Sequence, residues 1–494
     1  MATPPPPPTS IAITVANNAN QSIKTALVLQ LGSSAQPAVQ QILACAKNKL
    51  RLKKAQLLFH TDGQPLTNTS AATLTKGSTV LASCGEPFVG TAVAENAETN
   101  APARVPAPVL LLADHTFIDS DALQQLNHTA TLPGVIRAVG YPDLCPGLRF
   151  PVGASFLVKD RVYPELIGGD IGCGMSLYLL PTLSSDARVD KLVAKLSRLE
   201  GPWSGSSAAR LDAAGISSTA AHDLLLGTIG GGNHFAELQV VERVEDEAAF
   251  TRLGLRRDRM ALLVHSGSRS LGKSVLEKTL ERAGDRVKDG VSFEAGSKDM
   301  EEYMEKHDHA CAWARVNREV IAERFLALLL GGDEAAGGDW MQERAQIVID
   351  IHHNNVEIKK INGDSVWVHR KGAAPSDRGI VPIPGSRGAF TYLVEPYGPQ
   401  DENAFSLPHG AGRKWTRTKA HAILSQKSKR NESGGKGDFE KTELGGTVIC
   451  EDSRLLLEEA PEAYKAIETV VEDVKEFARV VAVMRPVLTY KFMR

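Results

Sequence analysis

Apolar positions alternate with polar ones over 11–15 (IAITV) and 25–31 (TALVLQL), which predicts two short strands joined by an Asn-rich turn at 17–21. The period then changes. Over 37–49 (PAVQQILACAKNK), Val39, Ile42, Leu43 and Ala46 fall on one face of a helix. Leu57-Leu58-Phe59 and 79–82 add two short strands, with the turn Thr61-Asp62-Gly63 between them. Residues 1–9 read as a disordered Pro-rich cap, and 86–108, rich in Ala, Pro, Glu and Asn without periodicity, read as an interdomain linker. From 109 to 494, short β-rich runs bounded by glycine alternate with longer helical stretches, so this part reads as one large mixed α/β (α+β) domain. Its clearest predicted helices are 186–199, 309–330 and 461–481. In 309–330, Trp313, Val316, Val320, Ile321 and Phe325 lie near one face and charges elsewhere, the pattern of a surface helix packed on a core. Residues 333–339 and 427–446 read as exposed loops.

Composition adds bounds. At 494 residues the chain exceeds a single ordinary domain, and 43% hydrophobic with 23% charged residues is the balance of a soluble globular protein. The net charge of −2 gives no bulk attraction to nucleic acid, although a local basic stripe is compatible with a neutral total. Six cysteines are scattered with no CxxC pair, which predicts a reducing compartment and mostly buried thiols. No run approaches the roughly 18 apolar residues of a membrane span. The start, MATPPPPPTS, lacks the basic and apolar regions of a secretory signal. The expected location is the cytoplasm, with the nucleus second, and no membrane partner is expected.

Five motifs carry candidate chemistry. Asp170 and Cys173 sit among glycines in GGDIGCGM, and Asn233, His234 and Glu237 in GTIGGGNHFAE. His265 ends the apolar run ALLVH and opens the turn SGSRS with Arg269. His353 ends IVIDIHH and precedes Asn354. In an alternating strand His352 and His353 face opposite ways, so only one reaches the site, and Asp350 is a candidate to support it from behind. His409 lies in the loop HGAGR, where Gly410 and Gly412 admit a phosphate and Arg413 offers a bidentate fork. Ser386 in PGSRG offers a further oxyanion-type loop, and HRKGA (369–373) follows another strand. Singly, each has a plainer reading: a glycine turn, a buried structural cysteine, a core histidine. Together, Asp, Cys and three His form a donor set suited to a divalent transition metal. His409, in a loop, suits a nucleophile attacking phosphorus better than a metal ligand.

The ordered set DIGCGM, GTIGGGNHF, HSGSR, HHN, HRKGA, PGSRG and HGAGR resembles the RtcB-type RNA ligases, over about residues 109–494. The resemblance implies a domain of central β-sheets surrounded by helices. It implies joining of an RNA 3′-phosphate or 2′,3′-cyclic phosphate to a 5′-hydroxyl, with GTP and two Mn²⁺ ions. Asp170, Cys173, His234, His265 and His353 would hold the metals, with Cys173 bridging. His409 would take GMP as a covalent histidine–guanylate. Asn233, Asn354, Ser386, Gly410, Ala411 and Gly412 fall where the family contacts nucleotide phosphate or ribose, and Glu237 and Lys491 where it reads guanine. Arg269 and Arg413 are the candidate RNA-phosphate contacts. The resemblance admits an archease-like activator. The order of elements over 10–85 resembles a ubiquitin-like β-grasp module, with a nondescript α+β extension as the alternative, and such a module would bind a protein partner.

Four departures qualify the likeness. Cys145 stands in PDLCPG where the family usually has His, Arg387 where Met is common, and Ser270 where Gly is common; Lys491 is followed by three residues rather than lying nearer the end. A thiol does not exchange protons at neutral pH as imidazole does. The alternative function is therefore a divergent metal-dependent phosphoesterase or nucleotidyltransferase that keeps the fold without ligation. A third is an adaptor in which the N-terminal module is the working part.

Overall fold

The computed structural model describes residues 10–19, 21, 23–31, 36–75, 77–89, 105–184, 188–196, 199, 201–283, 290–332, 345–430 and 440–492. The Pro-rich cap, most of the expected linker, the 333–339 loop and residues 431–439 of the expected 427–446 loop lie outside them, while 427–430 end a helix, Arg417–Arg430, rather than opening that loop. The chain divides into two compact units, Met1–Ala103 and Arg104–Arg494.

In the first unit, the strand Ser10–Asn17 pairs antiparallel with Lys24–Gln30 and parallel with Thr79–Ser83, and Leu57–Phe59 closes the far edge. The helix Ala38–Lys49 buries Ile42, Cys45 and Ala46 against Ile13, Val15, Leu29 and Val80. Alternation on the strands and the 3.6-residue period on the helix meet in one core.

The second unit is a mixed α/β domain built on two main sheets. The larger runs in the order Gln346–His352, Gly174–Leu183, Arg259–Ser266, Phe235–Val244, Ala478–Phe492, Thr391–Pro396, Val381–Pro384, with Thr447–Cys450 also beside Ala478–Phe492. The smaller runs Asn354–Ile361, Asp364–Lys371, Val152–Val158, Val135–Cys145, Val109–Leu111. Neighbours among the first four strands of the larger sheet are antiparallel. Every second strand therefore ends where its neighbour begins, and this brings four candidate motifs to one end of the sheet.

The helix expected over 309–330 is longer, Lys298–Leu330. Ser297 caps its first turn, and Gly331 ends it in the left-handed conformation at φ 74°. Trp313, Val316, Val320, Ile321 and Phe325 are fully buried. Trp313 also donates its Nε1–H to Asp223 Oδ1 at 3.0 Å. Trp313→Ala is expected to lower stability by about 3–5 kcal/mol, read as an earlier midpoint in urea unfolding.

The helix expected over 461–481 is a correction. Only the turn Pro461–Ala463 and the helix Ile467–Glu472 are helical, and Ala478–Phe492 is a strand at the centre of the larger sheet. Its β-branched run packs against strands on both sides, and that partnership overrides a local period that fits a helix equally well. The helix expected over 186–199 is described over Val189–Leu196. No described helix is long and apolar enough to cross a membrane.

Candidate active site

Cys173 immediately precedes the strand Gly174–Leu183, and His234 precedes Phe235–Val244. His265 closes Arg259–Ser266, and His353 follows Gln346–His352. Two strand starts and two strand ends thus meet at one end of the sheet, and the side chains converge there. Cys173 Sγ lies 3.3 Å from both His234 Nε2 and His265 Nε2. His265 Nε2 lies 3.2 Å from His353 Nε2, and His234 Nε2 2.9 Å from Asp170 Oδ2. All four of these His and Cys residues are at least 95% buried. His352 faces the other way, its Nδ1 on Gly172 O at 3.0 Å.

The donor chemistry fits a divalent metal. His234 gives its Nδ1–H to Ile229 O at 3.1 Å, which leaves Nε2 as the nitrogen directed at Asp170 Oδ2 and Cys173 Sγ. Burial, then the neighbouring imidazoles, hold His265 and His353 well below the usual histidine range, so their facing Nε2 atoms are not both protonated. Burial, then Asp170, push the Cys173 thiol well up. Lone pairs facing one another at such distances repel unless a proton or a cation lies between them, and a bound divalent cation would take the place of those protons, including that of the thiol.

His409 reaches the same space from the other side. It follows the strand Ser406–Pro408, and its ring centroid is 4.6 Å from that of His353. Its Nδ1–H donates to Asp143 Oδ2 at 2.7 Å, and its backbone N–H to the same oxygen at 3.1 Å. Nδ1 is occupied, so Nε2 is the nitrogen offered to the cavity. Gly412 makes the fit: at φ 68°, a Cβ there would stand 2.4 Å from Asp143 O.

Asp170, Cys173, His265, His353 and His409 line a cavity of about 550 Å³ that also includes Asn233, Glu237, Asn354, Ser386, Gly410, Ala411, Gly412, Arg413 and Lys491. The family model described as tRNA-splicing ligase RtcB matches residues 125–217 and 200–492. The RNA-splicing ligase RtcB2 of Escherichia coli is 40% identical over 385 residues, covering 77% of this chain and 94% of that protein. The chain belongs to the RtcB family. The RNA-splicing ligase RtcB of Escherichia coli strain K12 is 26% identical over 428 residues (78% of this chain, 97% of that protein). The tRNA-splicing ligase RtcB of Pyrobaculum aerophilum is 27% identical over 470 residues (77% and 94%). The likeness covers the second unit.

The far wall of this RtcB cavity is electrostatically built. Burial raises Glu459, but Lys491, Arg413 and Arg417 outweigh it and hold the carboxyl at about 2. Arg413 Nη1 is 3.0 Å and Arg417 Nε 3.2 Å from Glu459 Oε1, and the Tyr464 hydroxyl donates to Oε2. Arg413 therefore lines the cavity with its fork already engaged, Nη2 on Glu458 O at 2.7 Å. Arg269 does not line the cavity. Its guanidinium packs on Gly230, where a Cβ would sit 1.8 Å from Nη1. Nor do His369, Arg370 and Lys371 add groups to it: His369 Nε2 accepts from Tyr163 N, Arg370 pairs with Glu357, and Lys371 donates to Phe150 O and Glu165 O.

Asp143, Arg417, Glu459 and Tyr464 are lining or supporting groups that sequence reasoning did not single out. Asp143 had a signal, since it stands two residues before Cys145 in the motif that departs from the family. Glu459 had none; it is one acid in a run of acids.

Glu237 stands across the sheet from Thr489, whose hydroxyl donates to Oε2 at 2.6 Å, while Gln239 donates to Oε1 at 2.7 Å. Burial nonetheless lifts it from 4.5 to about 7. The folded state holds this proton more tightly than the unfolded chain does. The resulting stabilisation is full below pH 4.5 and lost as pH rises through about 7. Glu237→Gln should remove that slope, about 3 kcal/mol, in urea unfolding compared across the window.

Proposed function

We propose that this RtcB-family protein is a GTP- and Mn²⁺-dependent RNA ligase. It joins RNA 3′-phosphate or 2′,3′-cyclic phosphate ends to 5′-hydroxyl ends through a covalent histidine–GMP at His409, in tRNA splicing or RNA repair. One observation carries the reading: Asp143 fixes Nδ1 of His409 and so aims Nε2 into the cavity that Cys173, His265 and His353 line. Asp143 thereby selects the tautomer with a lone pair on Nε2, the form able to attack the α-phosphorus of GTP with loss of pyrophosphate. GMP then passes to the RNA 3′-phosphate, and the 5′-hydroxyl oxygen displaces it. Asp170, Cys173, His234, His265 and His353 would hold the metal, which when bound neutralises charge on the phosphoryl oxygens. Glu237 and Lys491, on neighbouring strands, are suited to read guanine, and Asn233, Asn354, Ser386 and the 410–412 backbone to hold phosphate and ribose.

Cys145 favours keeping the phosphoesterase as a second reading. It lines the same cavity, and burial followed by Asp143 raises its thiol, so it stays protonated at neutral pH. The test is incubation with GTP, Mn²⁺ and two RNAs, one bearing a 2′,3′-cyclic phosphate or 3′-phosphate and the other a 5′-hydroxyl. Ligation yields a longer RNA that retains the terminal phosphorus at the junction. A phosphoesterase releases inorganic phosphate and leaves the strands apart.

The first unit, with its helix on a sheet whose central strands are parallel, we read as a ubiquitin-like β-grasp module for a protein partner. A chain starting at Arg104 is then expected to ligate as the full chain does while losing its position in the cytoplasm. Loss of ligation in a folded truncation would contradict this.

A further inference from the structure

The long helix Lys298–Leu330 contributes no candidate metal ligand and no cavity wall, yet two adjacent polar residues on it, Asn317 and Arg318, are fully buried. Their hydrogen bonds go to the four segments that carry the Cys and His ligands. Asn317 Oδ1 accepts from Gly227 N at 2.7 Å. Its Nδ2 donates to Ser266 Oγ and Gly267 O at 3.2 Å each, and to Thr228 O at 3.3 Å. Arg318 Nη1 donates to Gly172 O at 3.0 Å and Ser266 O at 3.1 Å. Its Nε donates to Ser176 Oγ at 3.0 Å and Asp350 Oδ2 at 3.1 Å, and Nη2 to Asp350 Oδ1 at 2.6 Å.

Gly172 adjoins Cys173, Ser266 adjoins His265, Asp350 lies three residues before His353, and Gly227-Thr228 open the turn that ends in His234. One relay reaches a ligand directly. Asn317 donates to Ser266 Oγ, Ser266 Oγ–H donates to Ile229 O at 2.8 Å, and the same carbonyl accepts His234 Nδ1–H. Asn317 thus helps hold the acceptor that fixes the tautomer of His234. Such supporting bonds orient ligands and tune affinity.

We infer that Asn317 and Arg318 are positioning residues that set the spacing of the metal ligands from behind, so that the site is pre-organised by a helix that never touches the metal. The plainer role of a buried polar pair is to satisfy backbone groups that folding has buried. The two roles differ in what they do to metal binding per folded molecule. Arg318→Lys keeps the cation beside Asp350 but loses the fork across Gly172 and Ser266. Asn317→Ala cuts the link to the His234 turn. Phe325→Leu, further along the same helix, loosens packing without removing any of these bonds.

The inference rests on the metal reading of the site, and the experiment separates the two. Co²⁺ is titrated into the full chain, following its thiolate charge-transfer absorption, with folded fraction checked by near-UV circular dichroism. Expected is saturable binding to wild type, about 10–100-fold weaker binding with an altered spectrum in Arg318→Lys and Asn317→Ala, and wild-type affinity in Phe325→Leu. Wild-type affinity and spectrum in both polar variants, or equal weakening in Phe325→Leu, would overturn the positioning role while leaving the metal site intact. Absence of Co²⁺ binding to wild type would overturn the metal reading and this inference with it.

Discussion

His409→Ala is expected to reduce RNA joining to the rate without protein, while the chain stays folded and still binds metal. The side chain is nearly buried but packs on other site groups rather than in a core, so its loss removes little apolar burial. No other described residue lining the cavity offers a free nucleophile in its place: the Cys145 thiol is held protonated by burial and then by Asp143. Cys173 is engaged with two imidazoles, His265 and His353 face each other, and the buried lysine Lys491 is turned toward Glu459 and Gly232 O. The Asp143 bond makes a graded companion. Asp143→Asn presents a side-chain amide that can leave His409 in the wrong tautomer, and a fall of about 10²–10⁴-fold is expected by analogy with the oriented histidine of a hydrolase triad. Steady-state joining assays on both variants measure this. Wild-type turnover in His409→Ala would show that His409 is not the nucleophile.

The second large effect belongs to Cys173. Its Sγ is equidistant from His234 and His265, the only such Cys–His–His group among the described residues with all ligand atoms within 4.8 Å. Removing it deletes the atom common to both sides of the donor set and leaves imidazoles facing across a gap. Cys173→Ala is expected to weaken Mn²⁺ binding by more than about 100-fold and to abolish metal-dependent turnover. The fold should survive, because a single small side chain is lost. Metal content after dialysis, measured with the unfolding midpoint, separates the two effects. Retained metal in a folded Cys173→Ala would exclude Cys173 as a ligand.

Much of this site was legible in the sequence because its chemistry sits at strand ends. An apolar run closing on His265 or His353, and glycines bracketing Cys173, mark places where backbone turns and a side chain emerges. What sequence could not carry is partnership at a distance. Asp143 and His409 are 266 residues apart, and nothing local says that one carboxylate serves the other. Asn317 and Arg318 left a faint trace: polar residues interrupting the buried stripe of Trp313, Val316, Val320 and Ile321. A charge on a helix reads by default as solvated, and only the burial of its partners shows otherwise. The 461–481 segment failed for a related reason. A run rich in Val, Ala and Glu fits two periods, and the sheet, not the segment, chooses between them.

The charge arrangement explains why a nearly neutral protein can serve a polyanionic substrate. At the cavity wall Arg413, Arg417 and Lys491 share the Glu459 carboxylate, with buried Arg387 donating to the Glu459 carbonyl. Local excess of cations, rather than net charge, sets the potential that a phosphate meets.

Guanylation of His409 is tested most directly by incubating the purified protein with Mn²⁺ and GTP labelled in its α-phosphate, followed by denaturation and separation of protein from nucleotide. Label is expected on wild type, labile in acid as a phosphorus–nitrogen bond is, and absent from His409→Ala. Wild type that binds Mn²⁺ yet carries no label, or label that persists in His409→Ala, would contradict guanylation of His409.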